Sequence, residues 1–408
     1  MPCGAVGHEN GMQLQEMNAA RLRALTEVEI PAGRVVSLYL DLSPGGFPAQ
    51  SARSSAIRSV VDELGRRIDE TAGELDHDEL VALREDRARI EQLLTEELDA
   101  DGASGVAVFA CGLAGLWEVI PVAHTVPNEV AIDTVPRIQW LVADVDAGGW
   151  AIALVSRSHG RVLRGDAQRL VQTIVRNDDV HGQHDQGGWS QPRYERSVER
   201  EADAHVAAFL EALYREHRRR PFHHLLVVAA GELWPSIETS LRSDLRQVLA
   251  GRVDADLEDA GPDEVLEVVR PEIDRVEAQR RRELLARLSH GLGTGERASA
   301  GLEATLDALV QQRVEALLLL DGFAAPGVTC PACGWLGSDP DAERCPVDES
   351  ELRRHDNVVD VAVGAALQQD AAVVSFPRFD DPGDPEATPT ASYLQLQGHG
   401  GFAAVLRF

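Results

Sequence analysis

The chain has 408 residues, 44% of them hydrophobic, and sets 39 basic against 67 acidic side chains for a formal net charge of −28. That length suits two or three domains, the hydrophobic share argues against general disorder, and no apolar run reaches the roughly 18–20 residues that span a bilayer. All 39 basic residues are arginine, which grips phosphate bidentately and stacks on bases. A strongly acidic chain repels nucleic acid at long range, so any RNA contact has to come from a local patch or from docking within a larger assembly.

The first thirty residues are mixed polar and lack a signal-peptide core. Residues 35–43, VVSLYLDLS, predict a buried strand closed by a Pro-Gly-Gly turn. Residues 50–99 carry helical periodicity with dense charge and predict two helices on a sheet. GVAVFAC and GLWEVIPV predict a hairpin returning to that sheet. From Pro136, QWLVADVD, WAIALVSRS and GRVLRGD predict three short strands joined by Gly-containing turns. The aperiodic stretch 177–193 predicts a loop, and a helix over about 193–219 leads to a strand at 223–231 and another helix in SIETSLRSDLRQVLA. From about Pro262 a long helix runs to 290. GLEATLDALVQQRVEALLLLDGF and NVVDVAVGAALQQDAAVVSF each predict a helix running into an apolar strand, and GFAAVLRF a last strand. The Asp- and Pro-rich segment 380–390 predicts an exposed loop. This alternation implies an α/β, multidomain protein with three parts, 1–130, 131–260 and 261–408, the last a sandwiched α/β domain.

Cysteine usage is metal-like. Cys3 and Cys111 are isolated, whereas Cys330-Pro-Ala-Cys333 is followed after eleven residues by Cys345-Pro-Val-Asp348. Two facing knuckles of this spacing hold tetrahedral zinc, and Gly334 permits the first knuckle's tight turn. The predicted ligands are Cys330, Cys333, Cys345 and Asp348, with His355 as the alternative fourth ligand and a metal-free knuckle as the plain alternative. Such a closed site, over 328–350, is structural rather than catalytic, and free thiols favour a reducing, cytoplasmic setting.

A second feature is Gly187-Gly188-Trp189-Ser190-Gln191, running into Arg193, Tyr194, Arg196 and Arg200. Paired glycines permit positive φ and close approach of a partner. Arg193, Arg196 and Arg200 fall at i, i+3 and i+7 on one helix face. An arginine stripe beside a Trp can stack on bases and grip phosphates; the plain alternative is a solvated helix with i,i+4 ion pairs. His181, His184 and Asp185 lie in the same polar loop. The chain shows no nucleophile elbow, phosphate loop or dinucleotide fingerprint.

Taken together, these residues resemble the archaeal and eukaryotic class-1 release factors and Pelota, specifically their bacterial relatives. GGWSQPRYER is similar to that family's Gly-Gly-Gln-Ser-Ala-x-Arg-Phe-x-Arg loop, GLEATLDALVQQRVEALLLLDGF to the start of its third domain, and the Cys-Pro-x-Cys-Gly insertion to its zinc minidomain. VVSLYLDLSP is similar to bacterial members. The resemblance implies a three-domain fold with a ribosomal-protein-like C-terminal domain, and binding at the ribosomal A site near the peptidyl transferase centre, with elongation factor Tu as a further partner. Matched at the Gly-Gly pair, Trp189 takes the place of the family's catalytic glutamine, and an indole has one N–H donor and no acceptor oxygen. Gln191 stands two residues later.

The leading expectation is therefore a non-enzymatic, tRNA-mimicking ribosome-binding factor acting in hibernation or rescue under stress, resembling Pelota and hibernation factors of the Balon type. The alternatives are an active peptidyl-tRNA hydrolase using Gln191, and a stress-associated protein-binding scaffold without RNA contact.

Overall fold

The computed structural model describes residues 19–28, 30, 33–43, 50–98, 103–122, 124–147, 149–167, 169–177, 191–379 and 388–408; for residues 19, 50–52, 97, 144, 146–147, 177 and 191–199 it describes the backbone alone. The chain divides into two compact units, one formed by Met1–Asp146 with Arg281–Phe408, the other by Ala147–Arg280.

The first unit opens with α1 (Ala19–Thr26), β1 (Val35–Asp41), α2 (Gln50–Thr71) and α3 (His77–Gln92). The hairpin β2 (Gly105–Cys111) and β3 (Leu116–Val122) follows, then β4 (Glu129–Asp133) and α4 (Leu141–Ala147). The strands pair antiparallel in the order β3-β2-β1-β4. Period-2 alternation divides β1: Val36, Leu38 and Leu40 pack beneath α2 and α3, while Val35 and Tyr39 face a second core on the other side. Asp76 caps α3 with a full capping box to Glu79. QWLVADVD is not a strand. Leu141 and Val142 are buried with Val145 packed against the same core, a helical i, i+1, i+4 set that alternation over so short a run imitates.

The second unit is a five-stranded sheet ordered β7-β6-β5-β8-β9, built from β5 (Trp150–Val155), β6 (His159–Gly165), β7 (Leu170–Asn177), β8 (His224–Ala229) and β9 (Leu249–Val253). β5 pairs parallel with β8 and antiparallel with β6. Ala151, Ala153 and Val155 face α5 (Gln191–Arg219), α6 (Trp234–Ser240) and α7 (Ser243–Gln247); Trp150, Ile152 and Leu154 face the start of α8 (Pro262–Thr294). The single helix expected in 236–250 is two short ones, and its last residues enter β9.

The chain re-enters the first unit through α8 and adds β10 (Ala298–Ala300), α9 (Leu302–Val310) and β11 (Val314–Leu320). The cysteine module supplies β12 (Gly327–Thr329), β13 (Leu336–Gly337) and β14 (Arg353–His355), ordered β13-β12-β14. Then come α10 (Val358–Gln368), β15 (Ala372–Phe376), α11 (Ala391–Gly398) and β16 (Phe402–Leu406). Both helix-into-strand repeats form as expected, and β11 and β15 pair in parallel. The sheet β10-β16-β11-β15 is covered on both faces. Leu317 and Leu319 meet α9 and α10 on one side; Leu318 and Leu320 meet α8 and α11 on the other. That first core also holds Tyr39 and Phe109, so the N-terminal and C-terminal sheets share one hydrophobic interior. The fold is a mixed α/β multidomain one. No helix among the described residues is long and apolar enough to cross a membrane.

Candidate functional site

The cysteine module repeats one backbone turn twice. In the first loop Cys330 N–H donates to Trp335 O (2.8 Å) and Gly334 N–H to Cys330 O (2.9 Å); in the second, Cys345 N–H donates to Ser350 O (2.9 Å) and Glu349 N–H to Cys345 O (3.0 Å). Gly334 adopts φ +75° and Glu349, at the matching place, φ +62°. A residue with a Cβ is uncommon in that region. By this internal symmetry Asp348 stands where the first loop has Cys333.

The four side chains converge. Cys330 Sγ lies 3.5 Å from both Asp348 carboxylate oxygens, and Cys333 Sγ lies 3.6 Å from Cys345 Sγ. One ligand atom from each residue fits within 4.8 Å of all the others. Tetrahedral zinc with Zn–S about 2.3 Å and Zn–O about 2.1 Å requires ligand-to-ligand edges of about 3.6–3.8 Å, so the donor set and its spacing fit that ion. Cys333 N–H and Val347 N–H point at the sulfurs of Cys330 and Cys345, each at 3.4 Å, the outer hydrogen bonds usual around thiolate ligands. Hydrogen bonds from Ser350, its backbone N–H above all, hold the Asp348 carboxyl down to about 2 and keep it ionised as a ligand must be. The Trp335 amide favours the Cys333 thiolate, but burial and hydrogen bonds with Cys330, Cys345 and Asp348 prevail and push this thiol up to about 12. Without a cation, so many acceptors in one place retain a proton.

His355 takes no part in this cluster. It is buried, with Nε2 2.9 Å from Thr329 Oγ1 and Nδ1 3.5 Å from Asp133 Oδ1 and from Thr134 Oγ1, and so joins β14 to the end of β4.

A buried polar hub lies beside it, at residues for which the sequence predicts no site. Asp360, in the first turn of α10, accepts Ile138 N–H (2.8 Å) and Gln139 N–H (3.0 Å) on Oδ1 and Asn357 Nδ2 (2.8 Å) on Oδ2. Asn357 caps α10, accepts Ala325 N–H and donates to Gln139 Oε1. Burial pushes the Asp360 carboxyl up to about 7, against the Arg137 guanidinium at 3.9 Å and the two amides, which favour the ionised form. Ser37 Oγ and Tyr39 OH bind the backbone of Arg137. Residues 137–139 are thus clamped between β1 and α10. The available signal was one acid inside the apolar run NVVDVAVG.

Of the other predicted site residues, Gly187, Gly188, Trp189 and Ser190, and also His181, His184 and Asp185, lie outside the described residues. The backbone of α5 begins at Gln191, so Arg193, Arg196 and Arg200 occupy one continuous helix. At about 100° per residue, these three positions sit roughly 130° round from the stripe Ala202, Val206, Phe209, Leu210 and Leu213, which is buried in the unit's core. Arg200 is exposed.

Residues 136–273 match the family described as bacterial archaeo-eukaryotic release factor family 10, a range that takes in most of the second unit. Among solved structures, the chain is similar to an archaeal translation termination factor (17% identity, covering 96% of this chain and 99% of that one, TM-score 0.25). It is also similar to Pelota from Archaeoglobus fulgidus (18%, 74% and 79%, TM-score 0.29) and to archaeal Pelota in a ribosome-bound model with ABCE1 (14%, 96% and 94%, TM-score 0.39). No curated protein matches. Over residues 136–273, then, the chain is similar to the bacterial archaeo-eukaryotic release factors.

Proposed function

We propose that the protein is a ribosome-binding translation factor that occupies the A site without hydrolysing peptidyl-tRNA, in hibernation or rescue. The observation that carries this reading is the family match across residues 136–273, which contains the Gly187-Gly188 loop and the arginine positions of α5. The arginine positions on the face of α5 away from its buried stripe offer phosphate contacts to rRNA, and the Gly-Gly pair allows a close backbone approach. Trp189 replaces the glutamine that would orient the attacking water, and indole offers no acceptor for that role. Elongation factor Tu is the proposed companion, and a cytoplasmic location follows from ribosome binding. The four-residue cluster is a structural zinc site held by Cys330, Cys333, Cys345 and Asp348; three modules, 1–130, 131–260 and 261–408, are proposed as the inherited building blocks.

Peptide release from programmed ribosomes tests the catalytic half of the reading. Wild type and Gln191→Ala are expected to release no more peptide than the factor-free background. Release that depends on Gln191 would establish the hydrolase instead.

A further inference from the structure

A groove of about 860 Å³ lies within the first unit, walled by α2, β4 and β14. Seven consecutive residues, 128–134, line it. Alternate side chains of a strand point to opposite faces, so an unbroken run of lining residues means that the groove runs along the edge of β4. That edge is open. β4 ends its sheet and pairs with β1 alone, and among the described residues Glu129–Asp133 make no other backbone hydrogen bond to backbone. A row of free N–H and C=O groups is a template for another strand, yet this one is sheltered in a groove.

Six arginines line it, and Arg34, Arg353 and Arg354 lie toward its Asp133 end. Arg34 precedes Val35, the partner of Asp133 in the β1–β4 ladder. Arg353 and Arg354 belong to β14, the strand that His355 fixes to Asp133 and Thr134. Arg137, bonded to Glu129, lines the same space. Among the described residues Arg34 and Arg353 have no ion-pair partner, and Arg354 bonds an exposed Asp341 at 3.1 Å. In a chain of net charge −28, three such guanidinium groups at the mouth of an open strand edge select for carboxylates. Glu63, Glu70, Glu74, Glu129, Asp133 and Asp356 line the walls as well, with Glu63 paired to Arg66 and Arg67 and Glu129 to Arg137. A nucleic acid strand carries a charge at every phosphate and would have to pass them, whereas a polypeptide places its charges where it needs them.

The geometry points to a peptide-binding groove: an extended acidic segment of a partner protein adds to the edge of β4 as a fifth strand and sets its carboxylates on Arg34, Arg353 and Arg354. This is strand addition, in which main-chain hydrogen bonds supply affinity and side-chain contacts supply selectivity. Arg353 and Arg354 present forks suited to bidentate carboxylate pairing. The inference does not depend on ribosome binding.

The test uses the full-length protein and a synthetic peptide of about ten residues alternating valine and glutamate. A valine–lysine peptide and an oligouridylate of similar length serve as further probes. Binding is read by fluorescence anisotropy, and amide hydrogen exchange is followed at residues 129–133. The glutamate peptide is expected to bind and to slow exchange across those residues. Arg34→Glu with Arg353→Glu should weaken it by at least about ten-fold, Arg34→Gln with Arg353→Gln by less, and the lysine peptide should not bind. The variants' melting temperatures are compared with wild type so that loss of fold is separated from loss of binding. Failure of the glutamate peptide to bind overturns the proposal. So does binding that ignores the arginines or leaves exchange at 129–133 unchanged. Oligouridylate binding through the same arginines in place of the peptide would make the groove a nucleic acid site.

Discussion

Asp360 is a carboxylate that the fold uses against its solvation preference. Its two oxygens satisfy two backbone amides and one side-chain amide, and burial raises it to about 7 from an ordinary value of 3.8. The folded state therefore holds this proton across a window in which the unfolded chain has released it. Stability contributed by Asp360 is complete below about 3.8 and declines as pH rises to about 7, by up to about 1.4 kcal/mol per pH unit. Asp360→Asn removes this slope; it also sets an amide against Asn357 Nδ2, at a cost of about 1–3 kcal/mol. Thermal melts of the two proteins at pH 5 and pH 8 measure the effect: the gap between wild type and variant should narrow at pH 8. A constant gap would show that Asp360 does not titrate in this window. Asp348 could be found from its position in the Cys-Pro-x-x repeat; Asp360 could not. An acid early in a helix usually lies exposed and favours the helix dipole, and only the packing of 137–139 against α10 makes this one buried.

At the scale of elements, the convergence of Cys330, Cys333, Cys345 and Asp348 was legible because short-range spacing fixes it. The structure adds what spacing cannot give: the second knuckle follows the same turn as the first, and His355 is turned away toward Asp133. Wild type should purify with stoichiometric zinc. Cys333→Ser and Asp348→Ala should each weaken retention by about ten-fold or more at neutral pH. Metal analysis of the three proteins checks this, and equal zinc in all of them would contradict the assignment. The long elements α2, α3, α5 and α8 were also legible, since many turns of periodicity fix them. The misread segment 139–146 is short, and its apolar residues serve a helix as well as a strand. β4, β7 and β9 lie at sheet edges and β10 is only three residues long. Their sequences do not carry the continuous apolar run of a central strand, so no strand was expected there.

On the scale of the whole molecule, the sequence alternation disclosed the layers of each sheet but not how segments combine. The N-terminal sheet and the C-terminal helices share one core through contacts more than two hundred residues apart, such as Gln139 to Asn357, and no local pattern encodes them. The resemblance of GGWSQPRYER, by contrast, was visible in the sequence and agrees with the family match over residues 136–273. The proposal at this scale is that the chain enters the A site and holds the Gly187-Gly188 loop at the peptidyl transferase centre. A cryo-electron microscopy map of ribosomes incubated with the purified protein tests it most directly. Density for the chain is expected in the A site, with Trp189 against rRNA and Arg193, Arg196 and Arg200 at phosphates. Ribosomes whose A site carries no such density at saturating protein would contradict it.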